Sequence, residues 1–259
     1  MIEPLKISFI QTDLYWESAE ANLANFEEKI SQIDSQPDLI ILPEMFNSGF
    51  SMSYSEPLNF TTHKWLKQIS KRHNASVMGS LAITEEGKKY NRAICVNADL
   101  TESQYDKKHL FSLGEETKSF TAGNTPTILN IKNWRIKPLI CYDLRFPVWS
   151  RNSRPYYDVL IYIASWPATR ADAWKTLLKA RAIENQCYVV GVNRIGSDGN
   201  NLTYLGDSMV ISFTGEILTD AASQDDQFSI SLEKEPLDAF RKRYPFLEND
   251  DNFQISNSQ

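Results

Sequence analysis

A thiol, a carboxylate and an amine stand in this sequence near the points where strands give way to loops. Cys141 follows the apolar run Ile136-Lys137-Pro138-Leu139-Ile140 and opens the polar turn Tyr142-Asp143-Leu144-Arg145-Phe146-Pro147. A free cysteine is commonly plain core, and Cys95 and Cys187 keep that reading because they lie within or at the start of apolar strands. At a strand–helix junction a thiol can instead gain thiolate character from backbone N–H groups and a neighbouring base, and act as a nucleophile. Glu44 ends Leu39-Ile40-Ile41-Leu42-Pro43 and is followed by Met45, Phe46 and Phe50. Most glutamates are solvated. Among these apolar neighbours the carboxylate would be partly desolvated, with a raised proton affinity that suits a base and then an acid. Lys107 and Lys108 lie in Tyr105-Asp106-Lys107-Lys108-His109-Leu110-Phe111. Neighbours in an extended segment point to opposite sides, so only one lysine can face a site. There it would hold a developing oxyanion and lower the pKa of the thiol.

Competing chemistries find no support. His63, His73 and His109 are the only histidines and show no metal-ligand spacing, so no metal is expected. There is no GxSxG elbow, phosphate-binding loop or dinucleotide fingerprint. Lys and Arg total 27 against 33 Asp and Glu, a net charge of −6, which argues against a nucleic-acid surface. Three cysteines without a CxxC pair fit a reducing cytosol better than a disulfide framework. Met1-Ile2-Glu3-Pro4-Leu5-Lys6 lacks the regions of a signal peptide. No apolar run approaches the roughly 20 residues that span a bilayer. A soluble, cytoplasmic protein is expected.

The elements that must position these groups alternate. Ile7–Ile10 reads as a strand, and Ala19, Leu23, Phe26, Ile30 and Ile33 mark one face of a helix. Asp38–Leu42 is a buried strand, residues 62–73 a helix, and Ser76–Leu81 a strand. Ala93–Val96 pairs back after a turn at Glu85–Lys88. Further strands are expected at Ile136–Ile140, Val159–Ile163, Tyr188–Val192 and Met209–Ser212. A helix between Arg170 and Asn185 places Trp174, Leu177, Leu178 and Ala182 on one face. This alternation implies a layered α/β fold in one domain spanning residues 1–259. A tail of about 233–259 is expected to pack on the surface or on a partner subunit.

With these residues in place, the chain resembles the nitrilase superfamily of carbon–nitrogen hydrolases, whose triad is Glu–Lys–Cys. Its three motifs stand as Leu42-Pro43-Glu44-Met45-Phe46, Tyr105–Phe111 and Cys141–Pro147, in the right order. Ala164-Ser165-Trp166-Pro167, Ala180–Asn185 and Gly191-Val192-Asn193-Arg194 are also similar. The resemblance implies a four-layer αββα sandwich and a homodimer. It places the base on Glu44, the nucleophile on Cys141 and the lysine on Lys107, two positions before His109. It places an assisting glutamate on Glu116, with Glu115 as the alternative. The turn after Cys141 is similar to the amidase side of the superfamily, and to omega-amidases within it, which act on 2-oxoglutaramate and 2-oxosuccinamate. The chemistry implied needs no metal or organic cofactor. The backbone N–H of Tyr142 would join Lys107 in holding the oxyanion. Arg145 and Arg170 are candidates for the far carboxylate of the substrate, and Trp166 and Phe46 for apolar walls. Other members of the superfamily hydrolyse N-carbamoyl amines, and a catalytically silent binding protein on the same fold is the alternative outside enzymes.

Overall fold

The computed structural model describes residues 3–251. Two β-sheets form its centre. In the first the strand order is Asp226–Leu232, Leu5–Gln11, Leu39–Ile41, Ser76–Glu85, Lys88–Val96 and Glu102–Asp106, with the short Glu56–Pro57 strand beside Ser76–Glu85. In the second it is Ile217–Asp220, Met209–Ile211, Tyr188–Asn193, Val159–Ala164, Trp134–Ile140 and Leu129–Ile131. Each sheet has three parallel strands at its centre, flanked by antiparallel ones.

Side-chain alternation explains why the sheets stack. Leu39 and Ile41 point into the core shared with the second sheet, together with Ile7, Phe9 and Met78. Ile40 and Leu42 point the other way, with Val77, Leu81 and Ile94, against the helices Ala19–Ser31 and Thr61–His73. Phe26, Ile30, Leu66 and Ile69 supply the covering helical faces. On the far side the helix Ala171–Asn185 lies on the second sheet. A Cβ at Gly191 would stand 2.5 Å from Leu178 Cδ1 and 2.9 Å from Trp174 Cζ2. Glycine is therefore what lets this helix approach so closely. Helix, sheet, sheet and helix make the expected four-layer αββα sandwich.

Most expected elements are present, with shifted limits: the buried strand is Leu39–Ile41, and the hairpin joins Ser76–Glu85 to Lys88–Val96. The strand Asp226–Leu232 has no counterpart in the sequence analysis. It pairs antiparallel with Leu5–Gln11, and Phe228 stacks on Phe9 at 5.2 Å. Its residues are mostly part-exposed and polar at alternate positions, the signature of an edge strand rather than of a buried run. The helix Lys234–Arg243 follows, anchored by buried Leu237 and by Lys234 and Arg241 on Asp158, at 2.7 Å and 3.2 Å. Residues 252–259 of the expected tail, and Met1 and Ile2 of the expected start, lie outside the described residues. No helix among the described residues is long and apolar enough to cross a membrane.

Candidate active site

The central strands of the two sheets deliver the chemistry. Glu44 lies just beyond Leu39–Ile41, Cys141 directly after Trp134–Ile140, and Ser165 directly after Val159–Ala164. Because the sheets face each other, these carboxyl ends meet, as loop ends do in layered α/β folds. The Ser165 N–H donates to Glu44 Oε2 at 2.8 Å, which ties one sheet to the other at the site. The Cys141 Sγ lies 3.9 Å from the Ser165 carbonyl oxygen.

Cys141 has a φ of 45°, a left-handed conformation uncommon for a side chain with a Cβ. It opens the 3-10 turn Cys141–Arg145. Asp143 holds that turn: its oxygens accept from the N–H groups of Ile140 at 3.1 Å and His109 at 3.0 Å, and from the Tyr105 hydroxyl at 2.7 Å. His109 Nδ1 approaches the same carboxylate at 2.7 Å, and its ring stacks on Phe146 at 3.7 Å. Asp143 thus couples the cysteine turn to the Lys107 segment.

Behind the thiol is a buried cluster of charges. Lys107 Nζ donates to Glu44 Oε1 at 2.8 Å and to Glu116 Oε2 at 2.9 Å, and all three side chains are fully buried. The Phe111 N–H donates to Glu116 Oε2 at 2.6 Å. Asn91 Nδ2 donates to both carboxylates, at 2.8 Å to Glu44 and 3.0 Å to Glu116. Burial opposes the Lys107 charge, but Glu116 and Glu44 outweigh it and hold the ammonium above its ordinary value. Burial raises Glu116, with Lys107 pulling the other way. Burial also pushes the Cys141 thiol well above its ordinary value, and the Glu44 charge adds to that while Lys107 only counteracts it. The expected lowering of the thiol therefore does not occur, because desolvation and a nearby carboxylate outweigh the lysine.

The alternatives left by the sequence separate geometrically. Lys108 faces Asn124 and the Trp149 ring, not the cluster. Glu115 is exposed and pairs with Lys118, while Glu116 reaches Lys107. Cys95 and Cys187 are buried free thiols.

Cys141 opens onto a cavity of about 240 Å³. Tyr142, Arg145, Trp166 and Arg170 line it, as do Phe50, Phe111, and Asp198 and Tyr204 of a second hairpin that pairs Ile195–Ser197 with Thr203–Leu205. The Arg145 guanidinium lies 5.2 Å over the Trp166 ring and that of Arg170 lies 5.1 Å over Phe111. Among the described residues neither has an ion-pair partner. Asp198 accepts from the Tyr204 hydroxyl at 2.7 Å and from the N–H groups of Asn200 and Leu202 at 2.9 Å.

Phe46 is not a cavity wall, contrary to expectation. Met45 takes a φ of 45°, and Phe46 turns to the outer face of the first sheet. There its ring packs on Gly79 and against Phe26 and Trp65, at 5.5 Å and 5.9 Å. Phe50, four residues on, takes the place beside the site, with Lys107 Nζ 5.2 Å from its ring centre. The sequence analysis also passed over Asn91, Asp143 and the hairpin. Asp198-Gly199-Asn200, a turn signal, was the mark available for the last of these.

A family model described as carbon–nitrogen hydrolase matches residues 6–231. The chain is 43% identical to the omega-amidase YafV of Yersinia enterocolitica, over 97% of this chain and 98% of that protein. It is 31% identical to a 2-oxoglutaramate amidase of Bacillus subtilis, over 85% of this chain and 87% of that one. Among solved structures it is similar to a CN-hydrolase superfamily protein of Xanthomonas campestris with an arsenic adduct in its active site. There the TM-score is 0.95 and the identity 38%, covering 98% and 99% of the two chains.

Replacing Lys107 by Ala leaves two buried carboxylates facing each other without their shared cation. Breaking a buried pair in this way costs about 3–5 kcal/mol. Lys107→Ala should show a loss of that order in urea denaturation and lose activity by a factor of about 10² to 10³ or more. Lys108→Ala should stay within about tenfold of the parent, since it faces away from the cluster. An inactive Lys108→Ala beside an active Lys107→Ala would reverse the assignment.

Proposed function

Given that the chain belongs to the carbon–nitrogen hydrolase family, we propose that it is an omega-amidase that hydrolyses the terminal carboxamide of small 2-oxo acids through a thioester on Cys141. The observation that carries this reading is the cavity itself. Its floor is a thiol backed by a carboxylate, and its walls hold two arginines without acid partners among the described residues.

Glu44 takes the Cys141 proton as the sulfur attacks the amide carbon, and the carbonyl oxygen becomes an oxyanion. Lys107 and the Tyr142 N–H hold it. That N–H lies in the first turn after Cys141, where helical N–H groups lack an intrahelical partner. The C–N bond then breaks, and Glu44 returns the proton to the departing ammonia. Glu44 next takes a proton from water, which attacks the thioester and releases the carboxylic acid, and the thiol is restored. Because the resting thiol is protonated, attack requires its proton to move to Glu44. Glu116 holds Lys107 in place throughout.

Selection comes from the far end of the substrate. The carboxylate of a 2-oxo acid finds Arg145 or Arg170, with Trp166 as an apolar wall. An α-ammonium in its place would meet the like charges of Arg145 and Arg170. We further propose a homodimer of one-domain chains (residues 1–259) in the reducing cytoplasm. The tail segment packs there on the surface or on the partner. The chain of rings Phe240, Tyr244 and Phe246, with Phe246 62% exposed, supplies apolar area for such a contact.

Ammonia release from 2-oxoglutaramate should exceed that from glutamine by a factor of hundreds in kcat/KM. Mass spectrometry of the quenched reaction should find the acyl group on Cys141, and Cys141→Ala should turn nothing over. Equal efficiency on glutamine would remove the omega-amidase reading, and an adduct elsewhere would remove the mechanism. Light scattering should give twice the chain mass at micromolar concentration, and soluble cell extract should contain the protein. A monomer, or recovery with membranes, would contradict those two readings.

A further inference from the structure

Asn91 touches every charged member of the buried cluster. Its backbone carbonyl accepts from the Lys107 N–H at 2.9 Å. Its amide nitrogen donates to Glu44 Oε1 at 2.8 Å and to Glu116 Oε1 at 3.0 Å. The side chain is fully buried on the strand Lys88–Val96 and does not line the cavity. Ionised carboxylates only accept hydrogen bonds, so the amide must turn its NH2 toward them. Among the described residues the other end of the amide, Oδ1, has no hydrogen-bond partner, and both donor contacts go to the two carboxylates.

The electrostatic need is plain. Two fully buried carboxylates share one ammonium, and like charges so placed repel each other unless further donors compensate them. A second shared donor opposes that. We propose that Asn91 is a positioning residue of the hydrolase: by donating to Glu44 and Glu116 together it holds the two carboxylates in place around Lys107 and fixes Glu44 as the base beside Cys141. This role rests on the amidase reading above. The ionisable groups around it are Glu44, Lys107, Glu116 and Cys141, each from a different segment, with Tyr204 beyond the thiol.

Asn91→Asp tests it, because the shape is kept while the donor becomes a third carboxyl. As an anion Asp repels the other two, and once protonated its O–H restores one donor. At alkaline pH kcat should fall on the order of 10², as for a displaced catalytic group, with KM within a few fold. As pH falls the ratio of variant to parent should recover by up to about tenfold per unit, the slope of a single proton. Asn91→Ser is the second variant, usable where Asp at this buried position prevents folding. With the twofold amide donor lost, Glu44 is less firmly placed beside Cys141, so kcat should fall in Asn91→Ser while KM stays within a few fold. A variant-to-parent ratio flat with pH in Asn91→Asp, or a Ser variant with the parental kcat, would overturn the role. Glu44→Gln separates the two levels. Full turnover in that variant would remove both the base and the role of Asn91, while an inactive Glu44→Gln beside a flat Asn91→Asp ratio would remove Asn91 alone.

Discussion

One buried ammonium, that of Lys107, holds two carboxylates where water cannot help. Taking three charges out of solvent is tolerable only with near-complete pairing, and the surrounding structure supplies it. Glu44 takes hydrogen bonds from Lys107, Asn91 and the Ser165 N–H. Glu116 takes them from Lys107, Asn91 and the Phe111 N–H. These donors come from both sheets, so the cluster can form only when the sandwich has closed. The fold and the candidate catalytic site are therefore one problem in charge compensation.

The same cluster decides the state of the nucleophile. Two carboxylates against one ammonium give an environment of net negative charge, and burial adds its own penalty on a thiolate. Cys141 is consequently held as a thiol, with its pKa well above the ordinary value. Such a site stores no reactive anion. In the proposed mechanism its sulfur becomes nucleophilic when an amide carbonyl arrives, because the charge then forms on an oxygen beside Lys107 while Glu44 receives the proton.

Much of this was legible in the sequence, for physical reasons that differ by residue. Glu44 and Cys141 announced themselves by standing near the ends of apolar strands, and the motif around Lys107 gave the third member. The layers followed from period-two alternation, as at Leu39 to Leu42. Phe46 misled because adjacency in sequence is not adjacency in space: a left-handed Met45 sends the ring to the opposite face of the sheet. The strand Asp226–Leu232 was missed although Phe228, Ile230 and Leu232 alternate with Ser229 and Ser231, because the segment is short and exposed or part-exposed along most of its length, beside a polar, acidic stretch. Asn91 was missed because one amide in a strand carries no sign of its partners, which come from segments 47 and 25 residues away.

The protonation state of Cys141 is the most direct point of contact with experiment. The ultraviolet absorbance of a thiolate can be followed against pH as the difference between the parent protein and Cys141→Ala, since Cys95 and Cys187 are common to both. We expect no thiolate signal at neutral pH, and its appearance only above the range of an ordinary free cysteine. A thiolate already formed at neutral pH would contradict a buried, carboxylate-faced thiol and the role of Glu44 as its base.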